Sequence, residues 1–137
     1  MRNCAGAVIA VDTNVVVRLL TGDDPAQFAR VHKLFESETI FLPKTVVLET
    51  EWVLRSLYGL SAMDIVRALA ALVALPQVRS EDASAIVEAL ELSRRGLDFA
   101  DALHLASSRT AERFATLDRS LIRRARASAT QIVVASP

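Results

Sequence analysis

Short apolar runs alternate with longer amphipathic segments along the whole chain, and this alternation limits the fold more than any other feature. The runs are AVIAV (residues 7–11), TIFLP (39–43), QVRS (77–80), RFATL (113–117) and QIVVA (131–135). β-Branched, nearly continuous apolar runs of this length read as strands, and AVIAV as a buried one. The stretches between them carry helix signals. TNVVVRLLTG stops at Gly22. In DDPAQFARVHKLFES, Asp24 can cap the helix and Pro25 fits its first turn. TVVLETEWVLRSLYG closes at Gly59, Ser61 with Asp64 resembles a capping box for residues 61–75, and EDASAIVEALELSRRG closes at Gly96. DFADALHLA and RSLIRRARAS supply two more helices. Strands separated by helices pair in parallel, because each connection crosses back over the sheet. The expected fold is α/β: a three-layer α/β/α sandwich around a central, mostly parallel sheet of four or five short strands. No repeat, linker or low-complexity tract divides residues 1–137, so one domain is expected.

Bulk properties narrow the function. Hydrophobic residues make up 52% of the 137, which argues against disorder, and the net charge is zero, so no global basic field advertises nucleic-acid binding. The basic residues are nearly all Arg, with Lys33 and Lys44 the exceptions, and Arg suits bidentate phosphate contact. Cys4 stands alone, so neither a disulfide framework nor a cysteine zinc site is expected. The apolar runs are too short to span a membrane, and MRNCAGAVIAVDTN meets a charge too early for a signal peptide. The expectation is a cytoplasmic chain with no membrane partner.

Ligands of parallel sheets bind beyond the carboxyl ends of the strands, which singles out Asp12 and Asp118. Asp98 and Asp101 lie one turn apart where DFADALHLA begins. Asp98 reads as the N-cap, its carboxylate accepting from the N–H of residue 100 or 101. Asp101 takes the third helical position, on a stripe with His104 and Ser108; on spacing alone, a charge–dipole contact in the first turn accounts for it. Glu51 has Arg55 four residues on, the favoured order for a helix ion pair, whereas Glu49 has no local basic partner and flanks a stripe of Val46, Val53 and Leu57. A solvated Glu49 is the simple reading of that residue by itself. Taken together, Asp12, Glu49, Asp101 and Asp118 are expected on one edge of the sandwich. Four close carboxylates need a cation, and an oxygen-only set favours Mg²⁺ or Mn²⁺, as one or two ions, over zinc. Such ions suit hydrolysis of a phosphodiester. Arg119, Arg123 and Arg126, with Arg124 adjacent, form a stripe after Asp118, and Arg18 follows Asp12. That stripe reads either as a path for phosphate or as a solvated basic face.

VDTNVVVRLL, VVLETEWVLRSLYG, DFADALHLA and ATLDRSLIRRA, in this order and at these distances, resemble the PIN-domain family, and within it the VapC-type toxins of bacterial toxin–antitoxin pairs. The likeness runs from about residue 7 to residue 134. It implies that Asp12, Glu49, Asp101 and Asp118 are the catalytic, metal-binding acids. It places Thr13, Asn14 and Thr116 as small polar residues near the metal. It implies a single PIN-like nuclease domain, an Mg²⁺- or Mn²⁺-dependent endoribonuclease that inhibits translation by cutting tRNA or rRNA. Its partners would be an RNA substrate and a small antitoxin whose C-terminal segment enters the acidic pocket. A homodimer is also implied, and the apolar helices over residues 46–57 and 61–75 can supply its interface. Two enzyme-like alternatives fit less well. A haloacid-dehalogenase-like phosphatase needs a second acid where Asn14 stands and a late Lys that this chain lacks. A receiver domain needs an acidic pair that VDTN does not offer. A non-catalytic RNA-binding or protein-interaction module on the same fold stays open.

Overall fold

Asp12, Asp24, Ser61, Asp98 and Asp118 each sit directly before a helix and turn a side-chain oxygen back onto its first backbone N–H groups. These caps fix where five of the helices begin. The computed structural model describes residues 7–128 and 130–137; the expectations for Cys4 and for the opening residues 1–6 lie outside them. The chain divides between Ala83 and Ser84 into two compact units.

The first unit holds β1 (Val8–Ala10), α1 (Thr13–Thr21), α2 (Pro25–Ser37), β2 (Thr39–Leu42), α3 (Lys44–Ser56), α4 (Ala62–Val73) and β3 (Val78–Ser80). Its strands form a parallel ladder in the order β1-β2-β3, with Ile9 opposite Ile40 and Ile40 opposite Val78. Two helices connect each pair of strands, as the sequence pattern predicts. Alternate residues of β2, Ile40 and Leu42, are fully buried, and Val16, Val47, Leu54, Ile65 and Leu69 join them in the core. Each such side chain stabilises the fold by about 1.5–3 kcal/mol relative to exposure. Gly22 ends α1 at φ 63°, a left-handed conformation that costs a residue with a Cβ more than it costs glycine.

The second unit holds α5 (Ala83–Arg94, whose first residue closes the first unit), α6 (Phe99–Ala106), β4 (Arg113–Ala115), α7 (Arg119–Ala127) and β5 (Val133–Ala135). β4 and β5 pair in parallel, with Phe114 opposite Val134. Ile86, Ala89, Ala102 and Leu105 are buried.

The α/β class and the parallel pairing are as expected, with the five strands among the described residues arranged as a three-stranded and a two-stranded ladder. Two local readings need correction. β1 is not a buried strand, since it pairs along one side only in its ladder and exposes Val8 and Ala10. The buried face of α3 does not continue from Val46 through Val53 to Leu57. It runs through Val46, Val47, Thr50, Glu51 and Leu54, because Glu51 is neutralised by Arg55 at 2.9 Å and can be turned inward; Leu57 is exposed.

Candidate functional site

In the first unit, parallel pairing places the end of β1 and the end of β2 on the same edge of the ladder. Asp12 follows β1 and α3 follows β2, so Asp12 and Glu49, the sixth residue of α3 (Lys44–Ser56), line one cavity of about 380 Å³. Thr13, Asn14, Arg18 and Tyr58 line it too. Thr13 is the link between the acids. Its backbone N–H donates to Asp12 Oδ1 at 2.7 Å, and its hydroxyl donates to Glu49 Oε1 at 2.6 Å. The second distance is typical of a hydroxyl on an ionised carboxylate. Thr13 itself is buried, whereas both acids are exposed, so the threonine fixes two solvent-facing carboxylates from beneath.

Arg18 stands on the wall of the same cavity with its guanidinium tied down. Nε donates to Gln27 Oε1 at 2.7 Å, and Nη1 donates to Tyr58 Oη at 3.3 Å and Asp23 Oδ1 at 3.4 Å. Tyr58 in turn donates to Asp23 Oδ2 at 2.6 Å. The Tyr58 and Thr21 hydroxyls, with the Arg18 charge, hold the Asp23 carboxyl below its ordinary range.

In the second unit, Asp98 caps α6, with Asp101 N–H donating to Asp98 Oδ2 at 3.3 Å, as the sequence predicts. Asp101 is partly buried, and burial, then the charges of Asp98 and Asp118, push its carboxyl up. Asp118 behaves in the opposite way. The N–H groups of Leu121 and Ser120 both donate to its Oδ1, at 3.1 and 2.9 Å, and hold its carboxyl low. Thr116 supports it from the other side, its hydroxyl accepting from Asp118 N–H at 3.0 Å. His104 is exposed, one turn beyond Asp101. Arg119, Arg123 and Arg126 are exposed on α7, yet the basic charge that reaches both Asp101 and Asp118 is that of Arg124.

Each unit thus brings two of the four acids into one neighbourhood. Within neither unit do three His, Cys, Asp or Glu side chains among the described residues group closely enough to hold a metal ion. The chemistry of the donors nonetheless suits a hard divalent cation. The polar partners of Asp12 and Glu49 leave Asp12 Oδ2 and Glu49 Oε2 unengaged among the described residues, and Asp101 carries repulsion that a cation would relieve. In the first unit, two residues escape a reading of the sequence: Tyr58 and Asp23 meet Arg18 only through the fold. In the second, Arg124, which the sequence places beside the stripe, is the arginine whose charge reaches the acids.

Strand-end acids on a parallel α/β frame agree with the family comparison, in which the PIN domain model matches residues 9–127. The chain belongs to the PIN domain family. Among solved structures it is similar to the sarcin-ricin loop cleaving toxin VapC20 of Mycobacterium tuberculosis. That likeness is 23% identity over 96% of this chain and 100% of that one, with a TM-score of 0.43. Among curated proteins none matches the chain. Among the described residues no helix is long and apolar enough to cross a membrane.

Proposed function

We propose that this chain is a single PIN nuclease domain: an Mg²⁺- or Mn²⁺-dependent endoribonuclease, the VapC-type toxin of a toxin–antitoxin pair, which cuts tRNA or rRNA in the cytoplasm. The observation that carries the reading is Thr13, which binds Asp12 and Glu49 at once and holds an acid pair open to solvent in a chain of this family. Asp12, Glu49, Asp101 and Asp118 supply the oxygen ligands for one or two ions. A divalent ion held by these acids would supply Lewis-acid polarisation of the phosphate and a lowered pKa for a water molecule. The chain's own residues do the rest. Thr13 and Thr116 hold Glu49 and Asp118 in place, Asn14 offers an amide to the substrate, and Arg18 faces the incoming phosphate. Arg119, Arg123 and Arg126 give the anionic strand a path along α7 that a neutral protein otherwise lacks.

The partners follow from the same surfaces. An antitoxin segment carrying an Arg would neutralise the acids and block the site. Trp52, Leu57, Leu60 and Met63, exposed on and between α3 and α4, support a homodimer interface there.

The test is cleavage of cellular RNA by the purified protein with Mg²⁺ or Mn²⁺, with mapping of the new 5′ ends. Asp12→Asn and Asp101→Asn should each abolish cleavage and leave the circular dichroism spectrum intact. Asp98→Asn should cost little, since Asn caps a helix as well as Asp. Near-full activity of either inactivating variant overturns the metal assignment, and a loss in Asp98→Asn as deep as in Asp101→Asn reverses the roles of those two acids.

A further inference from the structure

Two residues of the acid cavity, Asn14 and Arg18, also line a second and larger hollow of about 590 Å³ between α1 and α2. Gln27, Arg30, Val31 and Leu34 form its other walls. We propose that this α1–α2 groove is the subsite for a nucleotide flanking the cleaved bond, with Arg30 as the ligand of its phosphate. The inference rests on the nuclease reading and adds to it a place for the next stretch of the strand.

The groove adjoins the acid cavity, since Asn14 and Arg18 line both hollows. Its size falls within the ordinary range for small-ligand sites. Arg18 is held by Gln27, Asp23 and Tyr58, which fixes it as a rigid divider and leaves part of its charge already answered. Arg30 is different. Its side chain is exposed, and no described residue pairs with it, so it offers a full guanidinium to an anion. Gln27 spends its carbonyl oxygen on Arg18, which turns its amide N–H groups away from that contact and frees them to donate. Val31 and Leu34 add an apolar floor. Alternating cation, amide and apolar surface matches a strand in which phosphates alternate with sugars and flat bases. An acidic peptide would meet Arg30 equally well, but it would have to run on toward Asp12 and Glu49, which repel it unless a cation intervenes.

The experiment uses the full chain carrying Asp12→Asn, so that RNA stays uncut, with and without Arg30→Gln. A labelled single-stranded RNA is titrated at several salt concentrations. Arg30→Gln should weaken binding roughly tenfold. It should also flatten the dependence of log affinity on log salt by about 0.7, the value for one phosphate contact on a single strand. Arg30→Lys should restore the slope. If Arg30→Gln binds with unchanged affinity and slope while the parent binds RNA well, the subsite is wrong and the nuclease reading stands. If the parent binds no RNA, the nuclease reading fails and takes the subsite with it. A variant that keeps its RNA affinity and loses affinity for the antitoxin protein assigns the groove to that protein and overturns the proposal.

Discussion

Removing one hydroxyl from Thr13 tests how the acid pair is held. Thr13→Val keeps the branched shape and the backbone N–H that donates to Asp12, and deletes the donor to Glu49. The lost bond is 2.6 Å long and falls on a carboxylate, a class worth about 1.5–3 kcal/mol. Glu49 is exposed, so water replaces part of the interaction and the low end applies, about 1.5 kcal/mol, or roughly tenfold in an equilibrium or rate. Thr13 is buried, but the valine methyl fills the space of the hydroxyl, and global stability should move by no more than about 1 kcal/mol. The assay is single-turnover RNA cleavage across an Mn²⁺ titration, beside thermal melting of the same samples. Thr13→Val should need about tenfold more Mn²⁺ for half-maximal rate and melt close to the parent. Thr13→Ser, which keeps the donor, should track the parent in both. A valine variant with an unchanged Mn²⁺ requirement, or a serine variant as impaired as the valine, refutes the idea that Thr13 positions Glu49.

Two further expectations address charge. The double variant Arg123→Gln, Arg126→Gln, on the exposed face of α7, should weaken RNA binding and flatten its salt slope by about 1–2, roughly one per lost phosphate contact, with Mn²⁺ affinity unchanged; an unaltered slope makes the stripe mere surface. The Asp23 carboxyl is held below its unfolded value by Tyr58 first and Thr21 second, so its contribution to stability is full above an unfolded pKa of about 3.9 and is lost as pH falls through the lower, folded value. Tyr58→Phe should therefore reduce the loss of stability on acidification in melts below about pH 4, and an acid limb identical to the parent's counts against that bond.

The features legible in the sequence are the local ones. β-Branched runs announce strands within a few residues, and Asp24 before Pro25, Ser61 and Asp98 announce helix starts through contacts three residues away. The ion pair of Glu51 with Arg55 is visible for the same reason. Its burial is not, because the inward face of α3 is chosen by what packs on it, and a stripe from Val46 through Val53 and Leu57 is the more apolar one on paper. The Arg18 network is harder still. Tyr58 reaches Arg18 across 40 positions and Asp23 across 35, and no periodicity encodes such distances. The family's motifs bring Thr13 and Glu49, 36 positions apart, to the same site, but the bond between them is visible only in the structure. Asp12 and Asp118 were legible as strand-end acids, but their second occupation as helix caps was hidden by the first.

That double occupation separates the needs of the fold from those of the reaction. One oxygen of Asp12 is spent on α1 and one oxygen of Asp118 on α7, where backbone N–H groups and the positive end of a helix already answer part of the negative charge. The remaining oxygens face outward. The helix starts that Asp12 and Asp118 hold depend on nothing bound at their other oxygens, so the fold and any ligand of these acids draw on different atoms of the same two side chains.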